Sequence, residues 1–269
     1  MRERSLRLSP RAFRERRAYR RIQRRLAAPR LIAAFADAYP EAFFIEIGSN
    51  DGEQHDFLRP QILAKGWRGV MVEPVPHVFA RLQRNYGDLD RVALENVAIA
   101  ERDGELPFFH LSEAGPEDQL PRWYDAIGSF SREQVLGHSG QIPEIERRMV
   151  ETRVTCLSFD SLCRRHAVAE PDLLLIDAEG YDAEILGSID LASCHPLLVA
   201  FEHYHLSAEQ WRSCQAQVRD AGYEILVEGF DTWCLDLARA PALEATWRGL
   251  APAVEAIRAA EDGTRTPPP

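Results

Sequence analysis

Apolar residues along this chain fall into short runs separated by helix-spaced stripes, the rhythm of a strand–helix repeat. Phe43-Phe44-Ile45-Glu46-Ile47 is a short apolar run halted by Gly48-Ser49-Asn50-Asp51-Gly52, which reads as a strand entering a tight turn with helix to follow. Gly69-Val70-Met71-Val72-Glu73-Pro74 is a second buried strand, closed by a proline that cannot continue a central ladder. Val78, Leu82 and Tyr86, spaced i, i+4 and i+8, mark the helix after it, and Val92 to Ile99 reads as a third strand. The alternation returns with a strand from Val154 to Leu157, a helix from Ser158 to His166 and a strand from Asp172 to Asp177. Leu197 to Glu202, Tyr223 to Val227 and Thr232 to Leu237 complete the set, the last two as a hairpin around Glu228-Gly229-Phe230-Asp231.

Such alternation predicts an α/β fold, a mainly parallel sheet covered on both faces. Between residues 101 and 150 the pattern lapses into glycines and prolines with Trp123, Tyr124, Ser129, Phe130, Ser131 and His138 among them. A long irregular insertion in a compact domain is usually functional, so this one is expected to cover the site and shape the acceptor pocket; a small satellite core explains its aromatics equally well. The expected organisation is an Arg-rich helical arm over residues 1–40, the α/β domain over 41–240, and a helix with a disordered Pro/Thr-rich tail over 241–269.

Charge changes this picture at one end. Residues 1–30 carry a net +10 and the remainder −20, in a chain of 269 residues with net charge −10. A basic arm on an acidic body can dock on that body, on an anionic membrane surface or on nucleic acid. With few interleaved aromatics and no recognition motif, nucleic acid is not the favoured partner. No run reaches the roughly 18–20 apolar residues of a membrane span, and there is no apolar signal-peptide core, so a cytoplasmic location is the expectation. Five scattered cysteines without a CxxC pair argue against a disulfide framework and against a zinc site.

In doubly wound sheets ligands bind at the carboxyl ends of the strands, near the switch in strand order. Candidate chemistry therefore sits just after Ile47, Val72, Val97, Ile176 and Phe201. Glycines after the first strand let backbone N–H groups approach a ligand. The turn lacks the G-x-G-x-x-G spacing of a dinucleotide site, and Glu46 and Asp51 would repel a pyrophosphate. They suit a cation, such as the amino group and sulfonium of S-adenosylmethionine. Glu73, at the tip of the second strand, can accept hydrogen bonds from both hydroxyls of a ribose.

Glu46-Ile-Gly-Ser-Asn-Asp-Gly52, Val72-Glu-Pro-Val-Pro76 with Leu82 and Asn85, Asn96-Val-Ala98, Ile176-Asp-Ala-Glu-Gly-Tyr-Asp182 with Ile185-Leu186, and Phe201-Glu-His203 together resemble the FkbM family of methyltransferases. The resemblance runs from about Phe43 to Leu237. It implies a Rossmann-like class I methyltransferase fold, with a seven-stranded sheet whose last strand is reversed, and usually O-methylation with S-adenosylmethionine. It also implies that Glu46, Gly48, Ser49, Asn50, Asp51 and Gly52 surround the methionine moiety, that Glu73 and Pro74 lie at the ribose, and that Asn96, Val97 and Ala98 lie beside the adenine. Many members carry lysine where this chain has Leu175, so substrate handling is expected to differ in detail.

Asp177 ends its strand beside that cofactor loop. Together with Glu179, Asp182 and Glu184 it could hold Mg²⁺, orient the substrate or act as a base; Asp182 and Glu184 also fit a solvated first helical turn. Mg²⁺ is not favoured. An alcohol attacking a methyl group profits from a nearby base, and His203 is the first candidate with His205 the second. The proposed catalytic set is His203, Asp177 and Glu179, acting on a small-molecule acceptor; a homo-oligomer remains open. Two other readings stand beside this one, a non-catalytic adenosyl-binding scaffold and an NAD-linked oxidoreductase.

Overall fold

The computed structural model describes residues 27–54, 56–115 and 117–251. Residues 1–26 of the expected arm and residues 252–269 of the expected C-terminal helix and tail lie outside the described residues. Strands β1 (Phe43–Ile47), β2 (Arg68–Val72), β3 (Val92–Glu95), β7 (Leu173–Ile176), β8 (Leu198–Glu202), β9 (Glu224–Glu228) and β10 (Asp231–Leu235) form one sheet in the order β3-β2-β1-β7-β8-β10-β9. All neighbours pair in parallel except β10, which runs against both β8 and β9, as the resemblance implied. The chain builds outward from β1 to β3, then returns to lay β7 on the other side of β1. That reversal places the switch point between β1 and β7.

Alternate side chains explain the two-faced core. Phe44 and Met71 point to one face, where they meet Leu31, Ile32 and Phe35 of helix α1 (Ala27–Ala38) together with Trp67, Trp233 and Trp247. Ile45, Ile47, Val70 and Val72 point to the other and pack with Leu162, Ile185, Leu186 and Val218. Those four lie on α6 (Phe159–Arg165), α7 (Asp182–Ser188) and α8 (Ala208–Asp220). Two shorter crossovers, α2 (Arg59–Lys65) and α3 (Pro76–Tyr86), link β1 to β2 and β2 to β3, and α3 buries Val78, Leu82 and Tyr86 as their spacing predicts. The Glu228 carboxylate at the end of β9 accepts the amides of Ala27, at 2.6 and 2.8 Å, and of Ala28, so α1 is tied to the far edge of the sheet.

Two expectations need correction. Val92 to Ile99 is not one strand: the chain leaves the main sheet at Asn96, and Ala98–Ile99 (β4) joins a second sheet. The Asn96 side-chain amide donates to the carbonyl oxygens of Glu73 and Pro74, at 2.8 and 3.1 Å, which turns the chain away. Nor is the stretch from 101 to 150 wholly irregular. Gly104–Leu111 (β5) pairs antiparallel with Met149–Leu157 (β6), and β4 completes a three-stranded sheet in the order β4-β6-β5. Pro107 disguises β5, yet a proline is tolerated there because β5 is an edge strand. Between β5 and β6 lie two short helices, α4 (Arg132–Leu136) and α5 (Ile145–Arg148), and a 3₁₀ turn, Gly137–Gly140.

Candidate active site

The switch point opens into a cavity of about 560 Å³. Its floor begins with the turn after β1. The amides of Gly48 and Ser49 both donate to the Val72 carbonyl, at 2.9 and 3.0 Å. The Ser49 hydroxyl donates to the Glu46 carbonyl and accepts from the Val72 amide, locking β1 to β2. Gly48 has φ +83°, and a Cβ there would lie 1.7 Å from the Asp177 carbonyl oxygen, so only glycine lets β7 pass this close. Asn50, also left-handed at φ 48°, donates its amide to Glu73 Oε2 at 3.1 Å, and Glu73 Oε1 accepts the Val75 amide at 2.7 Å. Burial of Glu73, which is only 6% exposed, outweighs both bonds and pushes its pKa up to about 8.

Not every residue of this turn reaches the cavity. Glu46, Gly48, Ser49, Asn50, Glu73, Pro74, Val97 and Ala98 line it; Asp51, Gly52 and Asn96 do not. The Asp51 carboxylate faces its own turn and accepts the amides of Glu53 and Gln54 and the Gln54 side chain. Burial opposes ionisation of Asp51, but these bonds prevail and hold its pKa below the usual carboxylate value. Gly52 packs under the Tyr86 ring, and Asn96 serves as the tether already described. Asp56, which pattern reading passed over, lines the cavity while capping α2 through the amides of Leu58 and Arg59 and accepting from the Tyr86 hydroxyl. An aspartate shortly before a Pro-led helix is a capping signal, so its structural role was readable; its place in the wall was not.

The opposite floor comes from β7 and β8. Asp177 lines the cavity and is accessible there. Asp182 departs from the expectation of a solvated helical turn: it is 0% exposed, and its carboxylate accepts the amides of Ala178, Gly180 and Glu202. It therefore fastens the β7–α7 turn to the end of β8, while Glu184 stays exposed and pairs with Gln210. The two histidines after β8 part company. His205 lines the cavity with Nε2 3.1 Å from Glu179 Oε2 and 3.9 Å from Glu202 Oε2. His203 is not among the lining residues; its ring stacks on Trp211 at 4.6 Å, and Nδ1 lies 3.1 Å from the Thr232 hydroxyl.

The remaining wall belongs to the β5–β6 insertion, through Arg122, Trp123, Ile127, Phe130, His138 and Gln141. Its Trp123 and Tyr124 belong to a small satellite core, in which they pack against buried Leu111, Ile127, Val135, Ile142 and Ile145. The Ser129 hydroxyl donates to the Glu179 carbonyl at 3.1 Å, Phe130 bridges Phe108 and Tyr181 edge to face, and Asp125 pairs with Arg81 of α3. Tyr204 and Phe230, each 57% exposed with rings 4.4 Å apart, stand among the lining residues with most of their surface in solvent.

Charge is lopsided here. Glu46, Asp56, Glu73, Asp177, Glu179, Glu202 and Asp231 line the cavity, whereas Arg122 is the one arginine among the described lining residues and none is a lysine. Leu175, at the position discussed above, presents an apolar side chain instead. Glu46 Oε2 and Glu202 Oε2 are buried without a hydrogen-bond partner. Burial, then repulsion from neighbouring carboxylates, pushes the pKa values of Glu46, Asp177 and Glu202 up. A cavity of this kind is short of positive charge.

A family model described as the methyltransferase FkbM domain matches residues 46–229, more than half of the chain, from the end of β1 through β9. The chain belongs to the FkbM methyltransferase family. A curated relative, the 2-O-methyltransferase NoeI of Sinorhizobium fredii (strain NBRC 101917 / NGR234), is 28% identical over 155 residues, 55% of this chain. The match spans 57% of the length of that relative. Among solved structures, an FkbM methyltransferase from Methylobacillus flagellatus KT is 15% identical with a TM-score of 0.45, over 73% of this chain and 44% of that one. A methyltransferase from Geobacter sulfurreducens is 12% identical with a TM-score of 0.40 over 78% of each chain. As an FkbM chain, the protein carries the family's strand-end turn, acidic second-strand tip and I-D-x-E-G-Y-D block on a single rim.

Proposed function

We propose that this chain transfers a methyl group from S-adenosylmethionine to a hydroxyl of a small molecule, sugar or natural-product acceptor. The observation that carries the reading is the electropositive deficit of the switch-point cavity, above all the buried, unpartnered Glu46 Oε2 beside a turn where a Cβ at Gly48 would collide with Asp177. When bound, the cofactor supplies a methyl group on a positively charged sulfur.

The residues present fit that ligand. Glu46 accepts from its amino group, and the backbone of Gly48, Ser49 and Asn50 lies alongside its methionine portion. Glu73 keeps one lone-pair direction free on each oxygen after accepting two amides, enough for two ribose hydroxyls. Val97, Ala98 and Ile99 offer an apolar flank for adenine, held in place by the Asn96 tether. O-methylation is favoured by the likeness to NoeI, a 2-O-methyltransferase. The exposed Tyr204–Phe230 pair suits the face of a ring-bearing acceptor.

His205 takes the acceptor-side role first given to His203, because His205 reaches the cavity and Glu179 orients its ring. Product mass spectrometry with labelled cofactor and a panel of hydroxylated acceptors should show a gain of one methyl group, with cofactor binding seen by calorimetry and none for NAD. Binding of NAD in place of adenosylhomocysteine would overturn the reading. His205→Ala should lower turnover by about 10²–10⁴-fold with cofactor affinity intact. His203→Ala should cost stability through lost stacking on Trp211 and leave most turnover in place. The opposite ranking would return the role to His203.

A further inference from the structure

The acceptor end of the cavity holds a cluster that methyl transfer by itself does not require. His138 comes from the 3₁₀ turn of the insertion, Glu179 from the β7–α7 turn and His205 from the segment after β8. Each offers one donor atom, and the three atoms lie within 4.8 Å of one another. We propose that His138, Glu179 and His205 bind a divalent transition-metal ion of the Zn²⁺ type, leaving an open position for an acceptor oxygen. With the ion bound, His205 would hold it, and the ion would lower the pKa of the acceptor hydroxyl in place of a histidine base. That placement of the acceptor rests on the methyltransferase reading above; the ion site does not.

The donor set selects the class of ion. Two imidazole nitrogens and one carboxylate oxygen suit Zn²⁺ and its first-row neighbours, and three protein ligands with one position free is the pattern of sites where a metal meets a substrate. Mg²⁺ and Ca²⁺ prefer all-oxygen shells, which sets this site apart from the carboxylate cluster considered for Mg²⁺. The five cysteines do not bear on it, since none lines the cavity.

Metal–donor distances of about 2.0–2.2 Å place tetrahedral donors about 3.3–3.5 Å apart. The Glu179–His205 pair, at 3.1 Å, is already near that spacing. His138 has to approach by on the order of an ångström to meet the same spacing. Its turn has room, because Gly137 and Gly140 flank it and a Cβ on either would meet nothing within 4 Å. A second observation points the same way: Glu202 Oε2, buried without a hydrogen-bond partner, lies 3.9 Å from His205 Nε2 and faces this cluster. Seven lining carboxyls against one arginine leave this cavity rich in groups that bind cations. Ion binding would also fasten the insertion, through His138, to the turns after β7 and β8.

The test uses the full chain, stripped with chelator and titrated with Zn²⁺ against a chromophoric competitor, with Co²⁺ loading to read the ligand field by visible absorption. The expected result is one ion per chain and an affinity lowered about tenfold or more in His138→Ala, Glu179→Gln and His205→Ala. Adenosylhomocysteine affinity, measured on the same variants, should stay within about twofold and so certify their fold. Failure to retain an ion, or wild-type affinity in all three variants, overturns the site. Should adenosylhomocysteine bind and stripped, ion-free enzyme turn over normally, the metal inference fails and the methyltransferase reading stands. Should adenosylhomocysteine not bind the wild-type chain, the methyltransferase reading fails, whatever the ion does.

Discussion

The cavity has two walls built on different principles. On the strand-end side, Gly48, Ser49, Asn50, Glu73 and Asp182 interlock through backbone amides and carbonyls, each contact joining strands or turns far apart in sequence. On the insertion side, helices of four or five residues and a 3₁₀ turn pack on a small core of their own and meet the rest of the site through the Ser129 hydroxyl, the Phe130–Tyr181 and His138–His205 ring contacts and the Asp125–Arg81 pair. The first wall cannot change a residue without disturbing the sheet. The second can change side chains and leave the sheet alone. Under the function proposed above, that contrast fits a cofactor held by the first wall and an acceptor held by the second.

The sharpest way to break this comparison is Gly48→Val. A Cβ overlapping the Asp177 carbonyl, at a φ that β-branched residues avoid, should cost about 4 kcal/mol or more in urea denaturation. A wild-type midpoint would show that the strand-end wall yields as easily as the insertion. Next, Asp182→Ala should cost about 2–4 kcal/mol, because three amides lose their buried acceptor; Asp182→Asn should lose less, since its amide oxygen still accepts.

A pH series probes the same wall without mutation. Glu73 and Asp182 titrate near 8 and Asp231 near 7 in the folded chain, in each case through burial, well above their unfolded values. The folded state therefore keeps protons that the unfolded chain has released. Stability from these groups is complete below about pH 4, is lost as pH rises, and levels off once the folded values are passed, near 8. Melting temperature of the ligand-free protein should fall from pH 5 to 8; a rise over that window would mean these carboxyls ionise freely. The smallest effect belongs to the insertion. Ser129→Ala removes its bond to Glu179, worth about 0.5–1.5 kcal/mol, and should raise acceptor KM several-fold with cofactor affinity unchanged. A loss of cofactor affinity instead would show the walls to be coupled.

Much of this architecture was legible because its signals are local. β1, β2, β7 and β8 are apolar runs buried on both faces, and α3 shows its stripe directly. β5 and the outer half of β6 were not legible, since an edge strand with a proline and exposed polar positions carries no periodic signal. Asp182 and Glu184 look alike in sequence two positions apart, yet one is sealed under β8 and the other faces water. His203 and His205 are separated in the same way, by which of them the turn after β8 directs to the cavity.

What the sequence determined by itself was the strand–helix rhythm, the glycine turn and the acidic residues at strand ends, because backbone conformation and burial pattern depend on neighbours within a few positions. The tertiary structure alone decided which carboxylates lose water, which histidine meets Glu179, and how an insertion with little pattern of its own closes over the cleft. Those outcomes depend on side chains far apart in sequence, such as His138 and His205, 67 positions apart, and no local pattern encodes that distance.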